Sequence, residues 1–372
     1  MTIERWVCKK CKETWIYPIE KCIFCRGPIT QEFGKKMKVV GITKVFIPSP
    51  MHPIIPYNIL VLEDEHGSRM PRKTMKDFKI GDYFEEKASG EEHAVSLVRV
   101  KYDVNEAVKG ALGLIEFKID KKAKIMLKPN IMVASYPYLG MTTHPKVVEG
   151  VIKFLLDSGF KKENIIVAEQ CQYGDMEDAL QKSGIGEVLE QYSIKFVDLG
   201  KSRYVSKVVA QFNFEIAEEV FKQDLIINIP VMKTHLMLGI SGALENATRL
   251  ISAKNYKELQ TKPEVLEAVA ALHQVLPKYV TVGDAIIGMQ GNGPLQHGEP
   301  LFLNMVFASR DAVAHDKVFQ ELGLLRKAEH VETAGRMGVG KNKIEEIEIV
   351  GYELEAAKRE IMPAIGSKLI KM

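Results

Sequence analysis

Two sets of residues in this chain have the types and spacing to do chemistry. Cys8, Cys11, Cys22 and Cys25 form two CxxC pairs separated by ten residues, the spacing that sets four thiolates around one tetrahedral ion. Such a site has no open position, so it staples a small module and catalyses nothing. Zinc fits it as a structural ion, and iron in a rubredoxin-like site is the alternative, because four thiolates accept either metal. The second set is scattered along the chain, but each member sits where a short apolar run ends. Lys233-Thr234-His235 closes the run that starts at Leu225, Lys128-Pro129-Asn130 closes another, Thr143-His144 opens a helical pattern, and Asp284 follows a third run. Lys128 and Lys233 would hold a carboxylate, phosphate or thioester oxygen where an enolate or oxyanion develops. His235 or His144 would move the proton, with Asp284 orienting one of them.

Asn130, Thr143, Thr234, Gly242, Asn246, Gly291, Asn292 and Gly293 complete the candidate substrate contacts, since amides, hydroxyls and glycines let an anion approach the backbone closely. The plainer readings stand beside these: solvated lysines, capping histidines and turn glycines. Cys171 reads as a small buried hydrophobe, and Asp311 and Asp316 read as helix-start acids. No GxGxxG or Walker pattern is present, so a conventional dinucleotide or ATP site is not supported.

The elements that must carry these residues follow from the hydrophobic pattern. Residues 124–127, 165–168, 194–199, 225–231, 279–282, 305–308 and 347–350 read as strands rich in apolar residues, and Val147, Val148, Val151, Ile152, Leu155 and Leu156 mark one helix face. Strands alternating with helices predict βαβ units and a largely parallel sheet, with ligands at the carboxyl ends of its strands. Ahead of this α/β region the chain is different. Residues 37–87 carry strand-forming segments, the series Pro48, Pro50, Pro53 and Pro56, and a hairpin signal at Glu65-His66-Gly67-Ser68. The expected organisation is therefore multidomain: a zinc ribbon over 1–34, a small β-barrel of the oligonucleotide/oligosaccharide-binding type over 35–88, and an α/β domain over 95–372.

Ribbon, barrel and a terminal IGDYFEE together resemble the acyl-CoA-associated zinc-ribbon and OB-fold family, domain-of-unknown-function family 35. That resemblance implies a module that holds the CoA part of a thioester beside a thiolase-like enzyme. The larger region, through KPN, THP, INIPVMKTH, GISGALENA, GDAIIGMQGNGP and ASRDAVAHD in order, resembles domain-of-unknown-function family 362 over residues 95–351. Together with the strand-end lysines and histidines, the CoA-holding module leads to the expectation of an enzyme or enzyme subunit acting on a CoA thioester or similar anionic metabolite, by isomerase, racemase or lyase-type proton transfer. The alternatives are a non-catalytic acyl-CoA-binding scaffold in a thiolase-like complex, and a nucleic-acid-binding protein. Lys9, Lys10, Lys35, Lys36 and Lys38 would serve phosphates of either ligand, but no dense basic stripe accompanies them, which weighs against nucleic acid.

Composition agrees with this picture. The 372 residues are 46% hydrophobic with a net charge of +3, enough chain for two or three domains with a substantial core. No run of 18 apolar residues and no basic-then-apolar start occurs, so the expected location is the cytoplasm, without a membrane segment.

Overall fold

The computed structural model describes residues 3–365; the first two residues of the expected ribbon and the last seven of the expected α/β domain lie outside them. The chain divides into two compact units, one of residues 1–87 with 353–359 and one of residues 88–352 with the residues from Glu360 onward.

Among the described residues the first unit is all β but for one short helix, Leu354–Ala357. β1 (Ile3–Cys8), β2 (Thr14–Trp15) and β3 (Ile29–Gly34) form an antiparallel sheet in the order β2-β1-β3, with Cys8 ending β1 and Cys11, Cys22 and Cys25 in its connections. β4 (Met37–Val45), β5 (Tyr57–Glu63), β6 (Arg69–Thr74) and β7 (Tyr83–Phe84) make a second sheet, β6-β5-β4-β7. Met37, Val39, Leu60, Leu62, Met70 and Phe84 pack with Ile3 into its small core, the one-sided alternation expected of an antiparallel sheet. The turn at Glu65–Ser68 forms as expected: the Asp64 carboxylate accepts from the N–H groups of His66 and Ser68, and Gly67 supplies φ 79°. The sequence predicts a barrel here. The described pairings make a four-stranded sheet with β6 and β7 at its edges.

The second unit is built on a ten-stranded mixed sheet. Its strands are β8 (Val95–Arg99), β9 (Ile125–Pro129), β10 (Ile165–Glu169), β11 (Lys195–Asp198), β14 (Leu225–Ile229), β15 (Val231–His235), β16 (Gly239–Ser241), β17 (Tyr279–Gly291), β18 (Gly298–Ser309) and β19 (Ile349–Gly351); β12 (Tyr204–Val209) and β13 (Phe212–Ala217) form a separate hairpin. The main order is β11-β10-β9-β14-β17-β18-β8-β19, with β15 beside β17 and β16 beside β15. Neighbours from β11 to β17 run parallel, whereas β18 is antiparallel to both β17 and β8.

The helices are α1 (Val104–Leu114), α2 (Pro145–Asp157), α3 (Met176–Ser183), α4 (Ile185–Tyr192), α5 (Ala243–Ala247), α6 (Ala253–Gln260), α7 (Val265–Leu272), α8 (Ala312–Leu322) and α9 (Glu329–Arg336). Alternate strand residues face opposite layers. Ile125, Leu127, Ile165, Val167, Leu225 and Ile227 pack with α1, α2 and α4, while Met126, Ile166, Ala168 and Ile226 pack with the β12–β13 hairpin, α6 and α7.

Three expectations about strands need correction. The run 225–231 does not end before Lys233. Pro230 has no N–H, so the ladder breaks there, but its carbonyl accepts from Asp284 N at 2.8 Å, and the chain continues as β15 through Lys233, Thr234 and His235. The run 279–282 does not end at Gly283 either. β17 is 13 residues long and includes Asp284 and Gly288, because the antiparallel partner β18 pairs with it from Thr281 to Gly291, with one register shift between Ala285 and Ile287. Finally, since β18 is antiparallel, its end at Arg310 and Asp311 lies at the opposite edge of the sheet from the ends of β9, β10 and β14.

Candidate functional site

At the carboxyl ends of β9, β10 and β14 the sheet carries a closed polar array. Lys128 is the penultimate residue of β9 and is fully buried. Its Nζ donates to Glu169 Oε2 at 2.8 Å, to Asn246 Oδ1 at 3.3 Å and to the Pro129 carbonyl at 3.2 Å. Asn246, on α5, also accepts from Asn130 Nδ2 at 3.1 Å and donates to Asn228 Oδ1 at 2.7 Å. Asn130 Oδ1 in turn accepts from Lys233 Nζ at 2.7 Å, and the Met141 carbonyl takes a second Lys233 proton at 3.0 Å. Two buried ammonium groups are thus linked through two amides. Amides suit this position because each offers an acceptor to one lysine and donors to the next group.

Burial sets the titration of these groups. It pushes the Lys233 pKa down to about 8, against the pull of Glu245, Asp284 and Glu169. Lys128 is lowered by the same desolvation, opposed by the Glu169 carboxylate. Asp284, also fully buried, moves the other way to about 6, with the backbone N–H groups of His144 and Ile286 restraining the rise. Lys233 and Asp284 therefore bracket neutrality, the range in which an acid and a base work best.

Residues 125–321, just over half of the chain, match the family model described as Domain of unknown function (DUF362). The chain belongs to this family. A thylakoid-associated protein of Synechocystis sp. is 23% identical over 227 residues, covering 59% of this chain and 68% of that protein. The family region contains the whole Lys128–Glu169–Asn246–Asn130–Lys233 array.

The remaining expected site residues of the family 362 region do varied work. His144 is the N-cap of α2, its Nδ1 accepting from Lys146 N. Thr143 ties Asn130 N to the Ile229 carbonyl through its hydroxyl, at 2.7 and 2.8 Å. Asp284 orients no imidazole: it accepts from the His144 backbone N–H at 2.6 Å, fixing the loop that brings Met141 over Lys233. His235 Nδ1 accepts from Met237 N and Leu238 N at 3.1 and 3.2 Å, and burial lowers its pKa to about 4. Its ring is then neutral with the proton on Nε2, so it offers a hydrogen-bond donor rather than a base.

Gly242 makes room for a side chain of the protein itself. A Cβ there would lie 2.2 Å from Asp316 Oδ1, and the Asp316 carboxylate accepts from Ala243 N and Leu244 N at 2.7 and 3.0 Å. Thr234 donates to the Gly291 carbonyl, and Gly293 lets its backbone close on the Thr234 carbonyl, which a Cβ would approach to 2.2 Å. Asn292 Oδ1 accepts from Ile365 N. These glycines and Asn292 thus serve close chain packing. Asp311 caps α8 as expected, and Cys171 is half-buried with its thiol pKa raised by burial.

Glu169 and Asn228 belong to the array, Glu245 and Arg249 lie beside it, and none of the four was among the expected site residues. The available signal was Glu245 and Arg249 in GALENATRL, charges four apart in a segment otherwise fit for burial. At the opposite sheet edge a groove of about 680 Å3 is lined by His93, Asp311, Arg310 and Tyr279, among others. The His93 ring meets Asp311 Oδ2 there at 2.7 Å.

In the first unit the four sulfurs of Cys8, Cys11, Cys22 and Cys25 lie within 4.8 Å of one another. Cys8 and Cys25, and Cys11 and Cys22, are 3.5 Å apart. Four thiolates bound to one ion at about 2.3 Å stand about 3.8 Å apart, so the cluster fits a tetrahedral metal. The two knuckles are built alike: Lys12 and Arg26 each turn left-handed, φ 66° and 56°, directly after the second cysteine. Backbone N–H groups of Cys11, Lys10 and Cys25 point at Cys8 Sγ or Cys22 Sγ. The bond from Cys11 N is the leading influence holding the Cys8 thiol down to about 6.

Proposed function

We propose that the family 362 region is an enzyme that holds a small anionic metabolite, a carboxylate or thioester, at the Lys233 end of the array and moves a proton on it. The observation that carries this reading is that Lys233 is 1% exposed while its acceptors, Asn130 Oδ1 and the Met141 carbonyl, are both neutral. A buried ammonium without a hydrogen-bonded carboxylate favours an anion that forms beside it. The step is proton abstraction next to a carbonyl. The C–H bond breaks, Asp284 takes the proton, and the electron pair moves onto the carbonyl oxygen, which Lys233 stabilises as the enolate. Return of the proton to the same or a neighbouring carbon gives racemisation or isomerisation; loss of a leaving group gives a lyase.

For the first unit the reading is a zinc ribbon, with iron as the alternative ion, followed by a barrel-type module that holds a CoA tail. Its support is the four-sulfur geometry and the resemblance to family 35. The test is deuterium wash-in from D2O at the α-carbon of a panel of CoA thioesters and small carboxylic acids, followed by NMR. Exchange by the native chain and none by Lys233→Met and Asp284→Asn supports the assignment. Equal exchange by all three proteins would remove both residues from the chemistry.

A further inference from the structure

Arg249 stands apart among the described arginines. It is 1% exposed, on the turn after α5, and none of Nε, Nη1 and Nη2 has a hydrogen-bond partner. Arg5, Arg72 and Arg310 each spend a guanidinium nitrogen on an acceptor: on Glu32, on Glu86 and on the Glu116 carbonyl. The guanidinium carbon of Arg249 lies 4.6 Å from the ring centre of Tyr256, which covers one face of the fork. A buried guanidinium is always charged, and its five donors in one plane match the two oxygens of a carboxylate or phosphate.

The protein holds an anion within reach and does not use it. Glu245 precedes Arg249 by four residues, the order that favours a pair on one helical face. Its carboxylate accepts from Ser241 Oγ at 2.7 Å instead. Glu169 is committed to Lys128 and to Gln170 N. The amide ends of α5 are met by Asp316. Carboxylates thus meet Lys128 and the amide ends of α5 and leave this fork aside. It lies close enough to Lys128, Glu245 and Cys171 for its charge to act on each of them.

We propose that Arg249 is the anion-docking residue of the site, its guanidinium fork receiving a carboxylate or phosphate of the metabolite while Tyr256 backs the fork. This rests on the reading of the Lys233 array as a substrate site and names the group that orients the substrate there. It also explains why a fold would keep a buried cation that burial alone disfavours.

The test uses the full chain and follows the midpoint of helix loss while inorganic phosphate or acetate is titrated at constant ionic strength set with chloride. The native chain is expected to show a saturable rise. Arg249→Lys keeps the charge but not the fork, and its apparent Kd is expected to increase at least about tenfold, the scale of one lost charge-assisted hydrogen bond. Arg249→Met is expected to melt in chloride no lower than the native chain and to show no saturable rise. Native-like anion affinity in Arg249→Lys overturns the proposal, as does the absence of any saturable rise in the native chain. A large loss of stability in Arg249→Met without anion also overturns it, since the guanidinium would then be holding the fold. Lys233→Met separates the two readings. A rise lost there but retained in both Arg249 variants keeps the site and removes Arg249 from it, whereas a rise retained in all variants removes both.

Discussion

Replacing Glu169 by Gln leaves the buried Lys128 ammonium with neutral acceptors, and the cost can be reached by two routes. Removing one partner of a buried ion pair costs about 3–5 kcal/mol. Independently, the lysine can escape the penalty by losing its proton. At pH 7 that costs about 1.36 kcal/mol for each of the roughly 3.4 pH units below an ordinary lysine pKa, or about 4.6 kcal/mol. The two agree, and the second carries a consequence that the first lacks. At pH 9 the same escape costs only about 2 kcal/mol, so the destabilisation should roughly halve.

Circular dichroism at the helix band is the assay, because the helices longer than one turn lie in the second unit, and the midpoint is expected to fall about 10 °C at pH 7 and about 5 °C at pH 9. The tryptophans, Trp6 and Trp15, are in the first unit, so their emission is an internal control that should not move. An equal loss at both pH values, or a loss below about 1 kcal/mol, would show that Lys128 is not the buried, ion-paired cation described above.

Three further outcomes are expected. Gly242→Ala should cost about 3 kcal/mol, because its Cβ would displace Asp316 from two backbone donors; Gly174→Ala, where φ is 100° but nothing lies within 4 Å, should cost only the backbone strain of about 1–2 kcal/mol, and equal losses in denaturant melts would deny the Asp316 contact. Chelation should release one metal ion per chain and shift tryptophan emission, since Trp15 packs with Cys8 and Cys22, while the helix signal persists; loss of both signals together would make the second unit dependent on the metal. Lys233, at about 8 when folded against about 10.4 when unfolded, binds fewer protons folded than unfolded between those values, so stability should rise with pH across that window. Asp284, raised to about 6 from 3.8, binds more protons folded than unfolded below about 6, so stability should fall as pH rises through that range. Lys233→Met should flatten the first slope and Asp284→Asn the second, and stability curves that keep both slopes would contradict these shifts.

How far this site was legible in the sequence depended on the kind of residue. β9, β10 and β14 were readable because Ile125–Leu127, Ile165–Ala168 and Leu225–Ile227 are buried on both faces and so read as unbroken apolar runs. Lys128 and Lys233 were readable because a cation directly after such a run has to lie at a strand end or inside the fold. The extent of β17 was not, since Gly283, Asp284 and Gly288 all resemble turn residues; only the pairing with β18, distant in sequence, keeps them extended. Nor could one sequence say that β18 runs backward, which sends Arg310 and Asp311 to the far edge. The four cysteines were the opposite case, because their spacing alone fixes the geometry that the sulfurs adopt.

The glycines and acids of GISGALENATRL show why partner choice was the hardest part to read. Gly242 before a helix suggests an anion from outside, as helix starts often bind one. Here the anion is Asp316, brought from α8 across more than seventy residues of chain. Glu245 suggests a partner for Arg249 by spacing, yet it turns to Ser241. In both cases the local pattern states what a group needs, and tertiary packing decides who supplies it. Where packing supplies the partner, as for α5 and Lys128, the residue is accounted for by the fold. Arg249 has the same need and no supplier among the described residues, and that asymmetry within one short segment is the reason to look for its partner in a ligand.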